Sequence, residues 1–447
     1  MIVVHWLFEG MRIYRHISIL TILCLLLPVP QAVGKVYLDI GAPTFQQIPI
    51  AITDFKELKN NRNANELSGW FSENLADCLK MTGFFNVLNK RAFLGNPEQE
   101  DLTAKSIHFD DWVAIGAEYL VKGGYLYDGT KLVAEFRLFD TVKGEPVIGT
   151  KYEGQLKDRK AMVSKFASEI LYVLTGERGV FDTKIAFVLK NGPTSDIYTI
   201  NFDGSQLTNL TNYKSITIAP RWSPDGRAIA YTSYKDGRPD VYIKNVAGYA
   251  ARKIIGYKGL NLPGSWSPDG RKILLTLSKD GNAEIYVMDI EQGSLKRLTN
   301  NFAIDVSPVW SPDGRKIAFV SNRSGSPQIY VMDSDGNNVR RLTYEGAYNT
   351  SPSWSPKGGI IAYEGRIDGK FQIFCIDENG DNLRQLTYNS GTAESPCWSP
   401  DGRYLVYSSM AGNKGQICIM DALGKNIRVL FEDKAICMSP SWSPRFK

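Results

Sequence analysis

A tryptophan that returns every 44 residues constrains this chain more than any other feature. Trp222, Trp266, Trp310, Trp354, Trp398 and Trp442 each open a Trp-Ser-Pro tripeptide, which Asp-Gly-Arg completes at Trp222, Trp266, Trp310 and Trp398. Proline stands two residues ahead of the tryptophan at Pro220, Pro308, Pro352, Pro396 and Pro440. A fixed period of this length signals a stack or ring of supersecondary units rather than one ordinary core. Within a unit, Ser-Pro-Asp-Gly is turn chemistry: proline presets φ, and glycine accepts the left-handed conformation at the exit. Asp333-Ser334-Asp335-Gly336 repeats the device one hairpin later. Ile317-Ala318-Phe319-Val320 is too continuously apolar for a half-exposed strand, so both of its faces should be covered. Four short strands per period predict β-propeller blades of the WD40-like, PD40 type.

Counting predicts how the ring closes. Lys184–Val188 lies 132 residues, or three periods, before Lys316–Val320. The first unit therefore starts on a second strand, and Met438–Trp442 arrives at the far end of the chain to supply the missing first one. The expectation is a six-bladed propeller over residues 179–447, closed by the C-terminal strand so that no sheet edge stays open. The six tryptophans are expected between blades. The repeated aspartate is expected to be a turn residue rather than an acid or a metal ligand, and Lys357 in its place in the fourth copy points the same way.

Ahead of the repeat, residues 47–178 alternate between strand and helix periods and predict a compact α/β domain. Ile48–Phe55 and Phe84–Leu88 read as strands, and Tyr119–Tyr127 and Lys131–Phe139 flank an Asp128-Gly129 hairpin. Leu67, Trp70, Phe71, Leu75, Cys78 and Leu79 share one helical face that Gly83 ends. A second helix carries Met162, Val163, Phe166, Ile170, Val173 and Leu174 and stops at Gly176. At the start, Arg12, Arg15 and His16 precede the apolar run Ile17–Leu27, then Pro28, Pro30 and the small residues Ala32-Val33-Gly34. That order predicts a secretory signal peptide over 1–34, too short in its apolar part to anchor the chain. Residues 35–46 form an arm that composition leaves open between a docked strand and a mobile segment.

Several function classes fall away. The net charge of +5 is spread without a basic block, which excludes nucleic acid as an expected partner. Past the leader five cysteines remain, an odd number without a Cys-x-x-Cys, so neither a disulfide framework nor a zinc site is expected. His108 is the single histidine beyond the leader, and no Gly-x-Ser-x-Gly, Walker or Rossmann motif occurs. No catalytic residue, cofactor or metal is expected. What remains is a surface. The segments before each tryptophan strand differ from unit to unit: Leu260-Asn261-Leu262-Pro263, Ala303-Ile304-Asp305-Val306, Ala347-Tyr348-Asn349-Thr350 and Gly391-Thr392-Ala393-Glu394. Varied loops on a rigid ring are where binding specificity sits.

Leader, α/β domain and six x-Pro-x-Trp-Ser-Pro-Asp-Gly units, in that order, resemble the TolB family of the periplasmic Tol-Pal system over the whole chain. Ile285-Tyr286-Val287-Met288-Asp289 and Ile329-Tyr330-Val331-Met332-Asp333 look like that family's third blade strands. The repeat alone also occurs in propeller peptidases. The resemblance implies a periplasmic, non-enzymatic scaffold that helps maintain the outer membrane and its constriction during cell division, with no direct insertion into a membrane. Its implied partners are the peptidoglycan-associated lipoprotein Pal, TolA and other outer-membrane proteins. The positions it matches at the propeller mouth are Leu260, Asn261, Pro263, Asp305, Val306, Asn349 and Thr350, joined by Tyr348 and Glu394 from the varied loops. The arm that would engage TolA contains Lys35, Val36, Tyr37, Leu38, Asp39 and Ile40. One departure is Gly264, where the other units have proline. Two other readings stand beside this one. A periplasmic propeller hydrolase or peptidase predicts an acidic cluster in the channel, and a carbohydrate-binding propeller predicts aromatics around the mouth.

Overall fold

The computed structural model describes residues 46–58, 65–95, 101–248, 250–388 and 391–446. The expected leader and arm residues 35–45 lie outside the described residues. The first domain contains β1 (Ile48–Ile52), β2 (Lys56–Glu57), α1 (Asn65–Met81), β3 (Phe85–Val87), α2 (Phe109–Ala114), β4 (Tyr119–Tyr127), β5 (Leu132–Asp140), β6 (Glu145–Gly154) and α3 (Arg159–Thr175). The sheet runs β3-β1-β4-β5-β6, with β2 beside β4. β1 is parallel to both of its neighbours, whereas β4, β5 and β6 form an antiparallel meander.

Local chemistry accounts for these elements. The Asp128 carboxylate accepts the N–H groups of Thr130 (2.9 Å) and Lys131 (2.8 Å), and Gly129 turns the hairpin at φ 95°. α1 buries Leu67, Phe71, Leu75 and Leu79. The Phe71 ring stacks on Phe55 at 5.1 Å. Phe55 in turn fills the space over Gly123, where a Cβ would come within 2.1 Å of its ring. Trp70 is only half-buried, with the Arg159 guanidinium 4.4 Å above its ring. α3 turns Val163, Ala167 and Leu171 inward at four-residue steps, which leaves Val173 exposed although it was expected inside. Gly176, at φ 72°, caps that helix by donating to the Tyr172 carbonyl at 2.8 Å.

Among the described residues the rest of the chain forms six four-stranded antiparallel sheets, the blades. Blades 1 to 5 start at Thr217, Asn261, Asp305, Asn349 and Thr392, and blade 6 combines Ile436–Trp442 with three strands that start at Lys184. The closing strand pairs Ile436 with Lys190 and Trp442 with Ile185. The Ser443 N–H donates to the Lys184 carbonyl (2.8 Å), and the Trp442 indole donates to Thr183 Oγ1 (2.8 Å). In the Ser-Pro-Asp-Gly turn the serine hydroxyl donates to the aspartate, at 2.6 Å for Ser223–Asp225. That carboxylate also accepts the Arg227 N–H at 3.0 Å, so it is spent on the turn as expected. A second clip follows the fourth strands. Thr211, Thr299, Thr343 and Thr387 each accept the N–H of Ile197, Ile285, Ile329 or Ile373 at 2.9 Å. The first domain rests on blade 5 through the Tyr404 hydroxyl, which donates to the Met81 carbonyl (3.0 Å), and through an Arg403–Glu177 ion pair (3.1 Å).

Candidate partner-binding mouth of the propeller

The antiparallel register decides which loops share a face. Thr217, at the start of a first strand, pairs with Ser233 at the end of the second, so the loop before the first strand and the loop after the second open together. Five first strands carry a left-handed residue three positions before the tryptophan: Ala219 (φ 56°), Ser307 (54°), Ser351 (53°), Ser395 (54°) and Ser439 (49°). Each marks a bulge followed by proline. In blade 2 that position is Pro263, whose ring forbids positive φ, and the bulge slips one residue along so that Pro263 still pairs with Leu275. Gly264 then lies against the next blade, where a Cβ would stand 2.6 Å from the Pro308 carbonyl and 3.0 Å from the Leu274 Cβ. Glycine replaces proline there because no side chain fits.

The structure divides the expected mouth residues into two kinds. Asn261 and Asp305 are wholly buried and Asn349 is 2% exposed, so none of the three presents a side chain to a partner. Each clips its loop. Asn261 Nδ2 donates to the carbonyls of Pro239 (2.9 Å), Tyr257 (2.8 Å) and Gly259 (3.1 Å), and its Oδ1 accepts the Tyr257 N–H (3.2 Å). Asp305 accepts from Asn301 Nδ2 and Arg323 Nη2, both at 2.8 Å, while burial pushes its carboxyl above the usual range. Asn349 donates to Gln328 Oε1 and the Glu345 carbonyl, both at 2.8 Å. Pro263 is buried as well. Leu260, Val306, Thr350 and Glu394 are half-buried, and Tyr348 is exposed with its ring edge-on to Phe371 at 5.6 Å. Thr350 donates to Glu364 Oε1 (2.6 Å), and Glu364 Oε2 accepts the Ser395 N–H (2.5 Å), tying blade 4 to blade 5. Burial raises the Glu364 pKa.

The exposed rim is aromatic and basic, and the segments singled out from sequence stop short of most of it. Phe302 is fully exposed, Tyr388 is 77% exposed and Tyr344 is 73% exposed, in the loops that lead into blades 3, 5 and 4. The last two follow a Leu-Thr pair ten residues before a tryptophan, a signal already present in the sequence. Lys235, Lys279 and Arg323 recur at the repeat period and sit over tyrosine rings, at 4.3 Å over Tyr242, 5.4 Å over Tyr286 and 5.1 Å over Tyr330. Cations held this way are fixed in place rather than waving in solvent. Among the described residues no Asp or Glu lines the central channel, and no group of three or more His, Cys, Asp or Glu stands ready for a metal. The cysteines Cys78, Cys375, Cys397, Cys418 and Cys437 are free, and burial pushes Cys78, Cys375 and Cys437 up to about 12. His108 is exposed at the head of α2.

A family model described as the TolB beta propeller domain matches residues 172–446, more than half of the chain. The chain belongs to the TolB family. A model of the TolB amino-terminal domain matches residues 36–147. The crystal structure of TolB from Acinetobacter baumannii superposes with a TM-score of 0.75 at 29% identity, over 89% of this chain and 97% of that one. The Tol-Pal system protein TolB of Syntrophus aciditrophicus is 50% identical over 210 residues, 46% of each chain. That of Desulfosudis oleivorans is 37% identical over 222 residues, 49% of this chain and 51% of the relative. The chain thus spans about half the length of the curated TolB relatives it matches.

Proposed function

We propose that the protein is a periplasmic, non-catalytic component of a Tol-Pal system. In this reading it seats a peptidoglycan-associated lipoprotein on the propeller mouth and engages TolA through residues 35–46, supporting outer-membrane integrity and constriction at division. The observation that carries the reading is the set of exposed aromatics, Phe302, Tyr344 and Tyr388, on a closed ring. Large aromatics stranded in water on a rigid scaffold are the chemistry of interface anchors. The relatives' shared name supports the system, and the leader-like start supports export. Among the described residues no helix is long and apolar enough to cross a membrane. The test is capture of a purified peptidoglycan-associated lipoprotein. Tyr344→Ala with Tyr388→Ala is expected to weaken it at least about tenfold, as hot-spot losses do. Deleting residues 35–45 is expected to remove TolA capture only. Undiminished capture of the lipoprotein by the double variant would remove the mouth from the account. The same rim supports a second reading, a glycan stacked on the tyrosines. Muropeptide binding lost in Tyr388→Ala, without any protein capture, would favour it.

A further inference from the structure

The propeller's central channel encloses a cavity of about 470 Å³ lined by rings to which each blade contributes one residue. The ring just before the tryptophans reads Arg221, Ser265, Val309, Ser353, Cys397 and Ser441. Arg221 is the one charged side chain among the described residues that line this cavity. Its guanidinium donates through Nη1 to the Pro220 carbonyl at 3.1 Å and has no ion-pair partner among the described residues. A guanidinium has five N–H donors, so most of its capacity faces the channel unmet. Burial pushes its pKa below the ordinary arginine value.

Three of the other five ring positions, Ser265, Ser353 and Ser441, carry hydroxyls, while Val309 is apolar. Ser265 Oγ accepts the Trp310 N–H at 2.7 Å, Ser441 Oγ accepts the Trp222 N–H at 3.4 Å, and Ser353 Oγ accepts the Trp398 N–H at 3.4 Å. A hydroxyl that accepts from backbone keeps its own proton to give. Ser265 and Ser441 belong to the blades on either side of Arg221 and Ser353 to the blade opposite, so the guanidinium has a hydroxyl on each flank. Cys397 interacts electrostatically with Arg221, but burial keeps its thiol protonated and its hydrogen bonds are already made: Sγ accepts the Trp442 N–H (3.3 Å), and its own proton points to the Trp398 carbonyl (3.7 Å). Arg221 is half-buried, and a guanidinium drawn partly out of water without a counter-charge, with hydroxyls on the neighbouring blades, is shaped for an anion.

We propose that the channel is an oxyanion site centred on Arg221, with the Ser265 and Ser441 hydroxyls completing the donor set. The oxyanion is either a free inorganic ion or a carboxylate carried in by a protein seated on the mouth, and the second source rests on the partner reading above.

Inorganic phosphate is titrated into the purified protein at constant ionic strength, followed by calorimetry and phosphorus NMR, beside Arg221→Gln, Arg221→Lys and Ser265→Ala. For a free ion, one saturable site is expected, weakened about tenfold or more in Arg221→Gln, because charge-assisted bonds are the strong ones. Arg221→Lys is expected to fall between, since an ammonium keeps the charge without the fork. Ser265→Ala, which leaves the charge in place, is expected to weaken phosphate several-fold. For a partner carboxylate, phosphate binds neither form, yet Arg221→Gln weakens lipoprotein capture about tenfold with no loss of thermal midpoint. Phosphate binding that Arg221→Gln leaves unchanged overturns the proposal. So does absence of phosphate binding together with lipoprotein capture that Arg221→Gln leaves unchanged, and in that case the partner reading still stands. Phosphate binding lost in Arg221→Gln, with no capture by the wild type, sustains the site and sinks the partner reading alone. Absence of both in the wild type sinks both.

Discussion

Replacing Asn261 by alanine separates a loop clip from a partner contact. The wild-type amide spans three carbonyls, those of Pro239, Tyr257 and Gly259, and receives the Tyr257 N–H, all from a position with no exposed surface. Alanine leaves those four groups without their partner. A buried polar group left unsatisfied costs about 1–3 kcal/mol. Tyr257 and Gly259 stand at the surface, where water can replace part of the lost bonding, whereas Pro239 is less exposed. A total of about 2–4 kcal/mol follows, a large share of the roughly 5–15 kcal/mol that holds a typical domain. Urea unfolding followed by tryptophan fluorescence reads mainly the propeller, which holds the six repeated tryptophans, whereas the first domain holds Trp70 and Trp112. The expected result is a lower midpoint at unchanged slope. Lipoprotein capture, measured well below the midpoint, should fall less than it does for the Tyr344→Ala, Tyr388→Ala double variant. An unchanged midpoint with abolished capture would refute the reasoning and return Asn261 to the contact surface.

Other substitutions test neighbouring parts of the account. Tyr344→Ala alone is expected to leave the urea midpoint within about 0.5 kcal/mol of wild type, as exposed positions do, while weakening lipoprotein capture. Gly264→Ala is expected to destabilise by about 1–3 kcal/mol, since its Cβ meets the Pro308 backbone, whereas Gly149→Ala, with nothing within 4 Å, is expected to be neutral or stabilising. Equal midpoints for these two glycine variants would contradict the inter-blade contact. Glu364 has a raised pKa, so its contribution is most favourable when protonated and is lost as pH rises through the folded value. Glu364→Gln is therefore expected to gain on wild type at pH 7 and above, with the difference shrinking towards about pH 4, near the ordinary glutamate value. A difference that does not vary with pH would contradict this.

The blades were legible because one bulky residue per period leaves an unmistakable spacing, and because the unit missing at Lys184 matches the surplus strand at Trp442. The helices of the first domain were legible at Gly83 and Gly176, where only a left-handed residue ends the turn. β6 was missed: Lys151 and Glu153 alternate with half-buried residues on a strand whose inner face α3 covers, which gives a weak apolar signal. The mouth was read at the wrong depth. Asparagine and aspartate serve equally as surface polar groups and as buried loop clips, and one unit cannot tell them apart. Six units can, because the position five before the tryptophan holds Thr217, Asn261, Asp305, Asn349, Ala393 and Cys437, and Ala393 and Cys437 are not residues a surface contact would select. Arg221 was overlooked for a similar reason. It lies inside the repeat rather than in a varied loop, and only the ring places it opposite Ser353 and beside Ser265 and Ser441.

The central claim is that this propeller works by holding a protein at its mouth, and equilibrium binding of the soluble domain of the cognate peptidoglycan-associated lipoprotein tests it most directly. The account predicts a saturable one-to-one complex, weakened by Tyr344→Ala with Tyr388→Ala and indifferent to loss of residues 35–45. A lipoprotein that does not bind, or that binds the double variant as well as it binds wild type, would contradict it.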